Sequence, residues 1–144
     1  MVPLTILRNE LLPIAVRQAE LSNGVGRSKN YRLGAVVFSY YRWEDEYDTQ
    51  IEGIGHNSYK EHPLVKFYKY PHMHAETHAI LNTGMDYIKS GSKYMLVTRI
   101  QKNGKITMAK PCSCCMALMK EAGIKEVYYT DWDGKINCLK VQDT

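Results

Sequence analysis

The 144-residue sequence has no long apolar run. A membrane-spanning helix needs roughly 18 to 20 consecutive apolar residues, and polar residues interrupt every stretch here before that length. The first twenty-one residues are apolar in part, but Arg8, Asn9 and Glu10 break the continuous core that a signal peptide requires. We therefore expect a soluble chain that neither crosses a membrane nor is secreted.

The sequence also lacks a large excess of either charge. The formal net charge is +4, and the Lys and Arg residues are spread along the chain instead of forming one run. This composition does not favour nucleic-acid binding, although it leaves that possibility open. A few cations around a pocket are enough to hold an anionic small molecule. A small-molecule substrate is therefore the favoured partner.

Cysteine is scarce and unevenly placed. Three of the four cysteines, Cys112, Cys114 and Cys115, lie within four consecutive positions. Disulfides among such near neighbours would be strained or impossible, whereas thiolates at this spacing readily share a metal ion. The pattern indicates metal binding in a reducing compartment, so we expect a cytoplasmic protein.

What is present is the composition of a packed protein. Hydrophobic residues make up 44% of the chain and charged residues 24%, which is typical of globular proteins. The length suits one ordinary domain, and the sequence shows no internal repeat, low-complexity tract or linker. We therefore treat residues 1–144 as a single domain.

Hydrophobic periodicity and turn residues predict alternating helices and strands. An acidic loop over 43–48 should separate the first two strands, and a long surface loop should cover 58–72. The predicted elements are a helix ending at Ser22, strands over 33–40 and 49–57, a helix over 74–88, a strand over 94–100, a helix over 112–122, and strands over 126–130 and 135–141. The Asp133-Gly134 pair predicts that the last strand returns antiparallel.

Three residues have the chemistry of a zinc site. Zinc prefers tetrahedral nitrogen and thiolate ligands, and catalytic zinc sites keep three protein ligands and one open position. Cys112 and Cys115 are separated by two residues at a predicted helix start, where the helix dipole stabilises thiolates. His74 opens the preceding helix. The sequence therefore predicts a zinc ion held by His74, Cys112 and Cys115.

Glu76 follows His74 by two positions. At this offset its side chain cannot easily take the same direction as the histidine ligand, but it can reach water at the metal. We therefore interpret Glu76 as a carrier of protons and not as a ligand.

Together, His74-Ala75-Glu76 and Pro111-Cys112-Ser113-Cys114-Cys115 form the H-x-E and P-C-x-x-C signature of zinc deaminases. The sequence resembles the cytidine deaminase-like superfamily from residue 33 to residue 129. The resemblance implies a three-layer α/β/α fold with a mixed sheet of about five strands, and relatives commonly form homo-oligomers. It also implies zinc-assisted hydrolytic deamination with Glu76 moving protons, base contacts from the Ala75 backbone, and a hydrogen bond from Asn57 to the sugar.

The substrate within this family is less tightly specified. Residues 122–128 resemble the deoxycytidylate and transfer-RNA adenosine deaminases, whereas an antiparallel last strand resembles the free-cytidine deaminases. Our first hypothesis is conversion of dCMP to dUMP, because the predicted loop supplies cations for a phosphate: Lys60, His62, Lys66, Lys69 and His72. A solvated basic loop is an equally good interpretation of the same cations.

Two further substrate classes stay open. One is free cytidine or deoxycytidine. The other is a base in single-stranded DNA, RNA or tRNA, which the eleven tyrosines keep open because aromatic rings can stack on bases.

The same residues also fit sites of other kinds. A purely structural zinc would need a fourth ligand, which Cys114 or His78 could supply. A metalloprotease helix would need Glu directly after the first histidine, where Ala75 stands. We therefore expect His78 to be a packed or solvated helix residue and Cys138 a small buried residue of a strand. A non-catalytic zinc module is disfavoured by Glu76, and the extra residues over 101–110 leave the pocket rim undefined.

Overall fold

The computed structural model describes residues 2–22, 31–58, 73–89 and 92–141. Within these ranges the helices are α1 (Leu4–Ile6), α2 (Leu12–Leu21), α3 (Ala75–Thr83), α4 (Met85–Lys89) and α5 (Ser113–Ala122), with a π-helical turn at Leu7–Leu11. The strands are β1 (Arg32–Trp43), β2 (Glu46–His56), β3 (Lys93–Ile100), β4 (Ile106–Thr107), β5 (Ile124–Thr130) and β6 (Ile136–Lys140). None of the described helices combines the length and the apolar character that spanning a bilayer requires.

The strands form one mixed sheet in the order β2-β1-β3-β5-β6, with β4 paired to the end of β3. Strands β3 and β5 are parallel, and the other pairs are antiparallel. Within the described residues the sheet has six strands where about five were expected, because the inserted segment 101–110 turns at Gly104 and contributes β4. The antiparallel return of β6 is confirmed, and the Asp131 carboxylate fixes its turn by accepting from the backbone N–H groups of Asp133 and Lys135.

Helices cover both faces of the sheet, which confirms the three-layer α/β/α architecture. One face packs against α3 and α5, and its buried core includes Ala75, Val97 and Cys115. The other face packs against α1, the π-helical turn and α2, and its core includes Phe38 and Tyr128. We call the first the α3/α5 face and the second the α1/α2 face.

The hairpin of β1 and β2 is longer than the sequence pattern predicted. The expected acidic loop over 43–48 was wrong, because Arg42 pairs with Tyr47 and Trp43 pairs with Glu46. Only Glu44 and the next residue form the turn, and Glu44 has a positive φ of 54°. Cross-strand pairing of aromatic and long side chains outweighs the local turn preference of the acidic residues.

The predicted helix over 74–88 is divided in two. Gly84 adopts a φ of 93° and ends α3, after which α4 begins at Met85. Glycine takes this backbone conformation without the cost that a Cβ would add. Ile88 of α4 still belongs to the buried core of the α3/α5 face.

Close packing of α3 on the sheet depends on glycine. A Cβ on Gly55 of β2 would overlap the backbone of Ala79, and one on Gly53 would lie 2.8 Å from the Ala79 carbonyl oxygen. Helix α3 therefore sits directly on the end of β2, and this contact fixes the position of the histidine at its N-terminus.

Candidate metal centre and active site

The two halves of the predicted site lie at helix N-termini. His74 is the N-cap residue of α3, and Cys112 is the N-cap residue of α5. Both residues have extended backbone dihedrals, with ψ values of 149° and 167°. Helix N-termini carry a partial positive charge that stabilises thiolates and carboxylates nearby. The fold therefore brings together two segments that are far apart in sequence.

The three predicted ligands form one cluster. The potential ligand atoms of His74, Cys112 and Cys115 lie within 4.8 Å of one another. The His74 Nδ1 atom is 3.3 Å from the Cys115 Sγ and 3.9 Å from the Cys112 Sγ. In a tetrahedral zinc site a histidine nitrogen and a thiolate sulfur are separated by about 3.6 Å, given bond lengths of about 2.05 and 2.3 Å. The cluster therefore fits zinc in both ligand type and spacing.

Cys112 is prepared to act as a thiolate. A hydrogen bond from the Cys115 side chain lowers the pKa of Cys112 to about 4, burial opposes the shift, and His74 adds to the lowering. The backbone N–H of Cys115 also donates to the Cys112 Sγ at 3.5 Å. Deprotonated cysteine is the form that binds metals.

Glu76 lies in the first turn of α3 and is only 3% exposed. Its carboxyl group hydrogen-bonds with the Cys115 side chain and with its own backbone N–H. Burial raises the pKa of Glu76, while the hydrogen bonds and the charge of His74 act in the opposite direction. A buried carboxyl group beside metal ligands, with a raised pKa, is suited to accept and return protons.

The segment before Cys112 is anchored to the sheet by threonines. The Thr130 hydroxyl donates to the Thr107 carbonyl at 2.7 Å and lies 3.0 Å from the Thr98 hydroxyl. The Ala109 N–H donates to the Thr130 carbonyl at 2.9 Å. All three threonines are buried. The insertion of 101–110 thus forms part of the sheet and delivers Pro111 and Cys112 to the site at a fixed position.

Asn57, the residue predicted to contact the sugar, is 6% exposed and follows the end of β2. Its Oδ1 accepts from the Leu33 N–H at 2.9 Å and from the Ser22 hydroxyl at 2.6 Å. Its Nδ2 donates to the Tyr31 carbonyl. The next residue, Ser58, pairs with Met73, the neighbour of His74. Asn57 is therefore linked through Ser58 and Met73 to the segment that carries His74, and it holds the backbone at the start of β1. Its contact with a sugar stays a prediction.

Ala75 is 1% exposed and forms the first residue of α3, between the histidine and the glutamate. Its side chain packs in the core of the α3/α5 face. The contact of its backbone with a substrate base stays a prediction.

The remaining candidates take other positions. Among the described residues, Cys114 is outside the ligand cluster, and no fourth histidine or cysteine joins it. His78 is a packed helix residue as expected, because its Nδ1 accepts from the His56 N–H at 3.1 Å and its ring contacts the His56 ring. Cys138 lies in β6, where it is only partly buried, and its Sγ donates to Glu126 at 3.7 Å.

The predicted phosphate-binding loop lies outside the described residues. This applies to all five of its proposed contacts, Lys60, His62, Lys66, Lys69 and His72.

Sequence patterns did not identify one contact between an arginine at the end of β3 and a tyrosine just before β1. The Arg99 guanidinium carbon lies 4.3 Å from the centre of the Tyr31 ring. The two residues are distant in the chain, so no motif links them. The sequence contains one related signal. Because side chains alternate between the two faces along a strand, Arg99 of β3 is expected on the same face as Val97.

Comparison with known families agrees with this geometry. Residues 8–131 match the model of the cytidine and deoxycytidylate deaminase zinc-binding region. The chain belongs to this deaminase family. It is a zinc-dependent hydrolytic enzyme, and the cluster of His74, Cys112 and Cys115 is placed to hold the zinc of the family.

Solved structures share the deaminase fold. The dCMP deaminase of cyanophage S-TIM5 without ligand is 19% identical, with a TM-score of 0.56 over 91% of this chain and 86% of that one. The same enzyme in complex with dCMP and dUMP is 18% identical, with a TM-score of 0.55 over 91% and 84%. A cytidine deaminase from Burkholderia pseudomallei is 18% identical, with a TM-score of 0.56 over 91% and 90%. A search of curated proteins found no match.

Proposed function

We propose that this deaminase hydrolyses the exocyclic amino group of a cytosine nucleotide, converting dCMP and water to dUMP and ammonia. The observation that carries the proposal is the position of Glu76, a buried carboxyl group hydrogen-bonded to the cluster side chain Cys115. A structural zinc site has no need of a buried carboxyl group with a raised pKa beside its ligands.

The proposed reaction assigns the proton transfers to Glu76. The Glu76 carboxylate accepts a proton from water while the water oxygen adds to C4 of the base. Glu76 then returns that proton to the ring nitrogen N3. A second proton passes through Glu76 to the amino nitrogen, the bond from C4 to that nitrogen breaks, and ammonia leaves. Because burial raises the pKa of Glu76, its carboxylate is a stronger base than that of an exposed glutamate, which favours acceptance of a proton from water.

Zinc, when bound, lowers the pKa of water from about 15.7 towards about 7 and so supplies the nucleophile for this chemistry. The chain itself orients the donors. His74 and Cys112 occupy the N-caps of α3 and α5, so their positions follow from the packing of these helices on the sheet. The buried core around Ala75 and Cys115 limits access of bulk water from the sheet side.

A substitution of Glu76 tests the reaction. Glu76→Gln keeps the size of the side chain but removes its ability to carry protons, so we expect deamination of dCMP to fall by roughly three orders of magnitude or more. Zinc content and fold should be retained. The measurement is ammonia release with mass analysis of the base, alongside metal analysis of the same preparation.

The matched control is Glu121→Gln, which changes an exposed glutamate near the end of α5, away from the N-terminal half of the helix. Its activity should equal that of the wild type. If Glu76→Gln retains activity within tenfold of the wild type, another group moves the protons.

A second candidate is deamination of free cytidine or deoxycytidine. The specific observation in its favour is the antiparallel pairing of β5 with β6, the arrangement expected of the free-cytidine branch. Comparing dCMP, deoxycytidine and a single-stranded oligonucleotide as substrates separates these candidates. A cytoplasmic location and a homo-oligomeric state stay predictions from the sequence.

A further inference from the structure

We propose that Arg99, held against the ring of Tyr31, binds the phosphate of a nucleotide substrate at the rim of the zinc site. This inference rests on the proposed deamination of a cytosine nucleotide, and it names the residue that would select the phosphorylated compound over the nucleoside.

The strand pairing places Arg99 on the α3/α5 face. Arg99 is the penultimate residue of β3, and side chains alternate between faces along a strand. Val97 belongs to the buried cluster that contains Ala75 and Cys115. Arg99 pairs directly with Leu33, which packs against the same cluster. The side chain of Arg99 therefore extends from the sheet on the face that carries the zinc ligands.

Two hydrogen bonds and two chain neighbours connect the backbone of Tyr31 to that of the zinc ligand His74. The Tyr31 carbonyl accepts from the Asn57 side chain, which also accepts from the Leu33 N–H. Ser58 follows Asn57, and its N–H donates to the Met73 carbonyl at 2.9 Å. Met73 directly precedes His74. The pair and the zinc ligand are thus attached to one continuous group of backbone segments at the same end of the sheet.

The chemical state of Arg99 suits an anionic ligand. Its guanidinium lies close enough to Tyr31 for a cation–π contact, with 4.3 Å between the guanidinium carbon and the ring centre. Its Nε is buried and has no hydrogen-bond partner among the described residues. A guanidinium held on a ring loses little further freedom on binding and offers parallel N–H donors that match the oxygens of a phosphate.

The chain supplies a matched control in Arg32. Its Nε is also buried without a hydrogen-bond partner in the described part of the chain, and it pairs with Ile100, next to Arg99. It precedes Leu33 in β1, so alternation directs it to the α1/α2 face. The two arginines therefore lie at the same end of the sheet but on opposite faces.

The experiment compares Arg99→Gln with Arg32→Gln on dCMP and deoxycytidine. We expect the wild type to favour dCMP, and Arg99→Gln to reduce the ratio of the two kcat/KM values roughly tenfold or more through a higher KM for dCMP. Arg32→Gln should leave the ratio unchanged. An unchanged ratio in Arg99→Gln, an equal loss on both substrates, or a wild type without preference for dCMP would overturn the proposal.

A binding measurement separates this proposal from the proposed function. Zinc-loaded wild type should bind the product dUMP more tightly than deoxyuridine, and Arg99→Gln should lose that difference. If the wild type deaminates no cytosine compound, the proposed function fails while the dUMP titration still decides the role of Arg99. If Arg99→Gln does not fold, Arg99→Lys retains the charge without the paired donors, and it should weaken dUMP binding more than deoxyuridine binding.

Discussion

The two faces of the sheet both bury polar side chains, but they use them differently. On the α1/α2 face, the Tyr128 hydroxyl accepts from the Val2 N–H at 3.0 Å and donates to Glu126 at 2.8 Å. On the α3/α5 face, the lone pairs of two sulfurs and one nitrogen converge within 4.8 Å. The first network pairs its donors with acceptors, whereas the second concentrates atoms that bind a cation.

This difference shows why burial of polar groups alone does not identify a site. A buried polar network in which each donor has an acceptor stabilises the fold. Buried groups whose lone pairs converge at helix N-termini can instead bind a cation and take part in a reaction. Burial raises the pKa of both Tyr128 and Glu76. Only in Glu76 does the shift bring titration towards the neutral range, because a carboxyl group starts below it and a phenol above it.

Among the substitutions that test this difference between the two faces, removal of a zinc ligand should have the largest effect. His74→Ala, Cys112→Ala or Cys115→Ala leaves two protein ligands, so zinc content should fall from about one ion per chain to near none. Deamination should be lost with it. The measurement is metal analysis after gel filtration in a buffer with a weak chelator.

The controls are the two cysteines outside the cluster. Cys114→Ser and Cys138→Ser should retain zinc, since neither sulfur belongs to the ligand group among the described residues. A zinc-free Cys114→Ser protein would mean that the ligand set was assigned to the wrong sulfur.

Asn57 connects Ser22, the residue after α2, to the start of β1. Its substitution should have the next largest effect. Asn57→Ala removes the side-chain hydrogen bonds to Ser22, Tyr31 and Leu33, although the carbonyl of residue 57 still accepts from the Ser22 hydroxyl. We expect the free energy of unfolding to fall by about 2–4 kcal/mol. Denaturant titration of the zinc-loaded protein measures this loss. Asn82→Ala is the control, because its amide donates to the Ile54 carbonyl from an exposed position and should cost less than about 1 kcal/mol.

A sugar-binding role for Asn57 has a separate readout. Asn57→Asp keeps the acceptor oxygen but loses the amide donor, so a higher KM in a stable protein would support contact with the substrate. A stability loss of less than about 0.5 kcal/mol in Asn57→Ala would instead contradict its structural role.

Local sequence signals predicted the parts of the fold that depend on short segments. Gly123 ends α5 with a φ of 95°, and the Asp133-Gly134 turn joins β5 to β6 as expected. The ligands could be predicted because zinc chemistry restricts both residue type and spacing. Each of these signals is contained in a few neighbouring residues.

The features that sequence could not predict depend on contacts between distant segments. The acidic stretch after Trp43 became strand because it pairs with β1, and Arg99 gained its partner only when Tyr31 was folded beside it. The bonds of Asn57 likewise join residues from three segments. No local pattern encodes such proximity, since tertiary packing selects among conformations that are similar in intrinsic preference.

The smallest expected effect is on the α1/α2 face, where Tyr128→Phe should lower stability without changing deamination. The substitution keeps the ring in contact with Phe38 but removes the hydroxyl that bonds Val2 and Glu126. A loss of about 1–2 kcal/mol is expected for two buried hydrogen bonds. Tyr47→Phe, which removes an exposed bond to Glu10, is the control and should change stability by less than about 0.5 kcal/mol.

The pH dependence of this loss sharpens the contrast with the zinc face. Burial, followed by the hydrogen bond and charge of Glu126, raises the pKa of Tyr128, while the bond from Val2 opposes the shift. A group whose pKa is raised on folding contributes stability fully below its unfolded pKa, which is about 10 for tyrosine. The difference between wild type and Tyr128→Phe should therefore be constant over the neutral range and shrink only as the pH rises above about 10. A difference that changes near pH 7, or a reduced kcat in Tyr128→Phe, would show that the two faces are coupled after all.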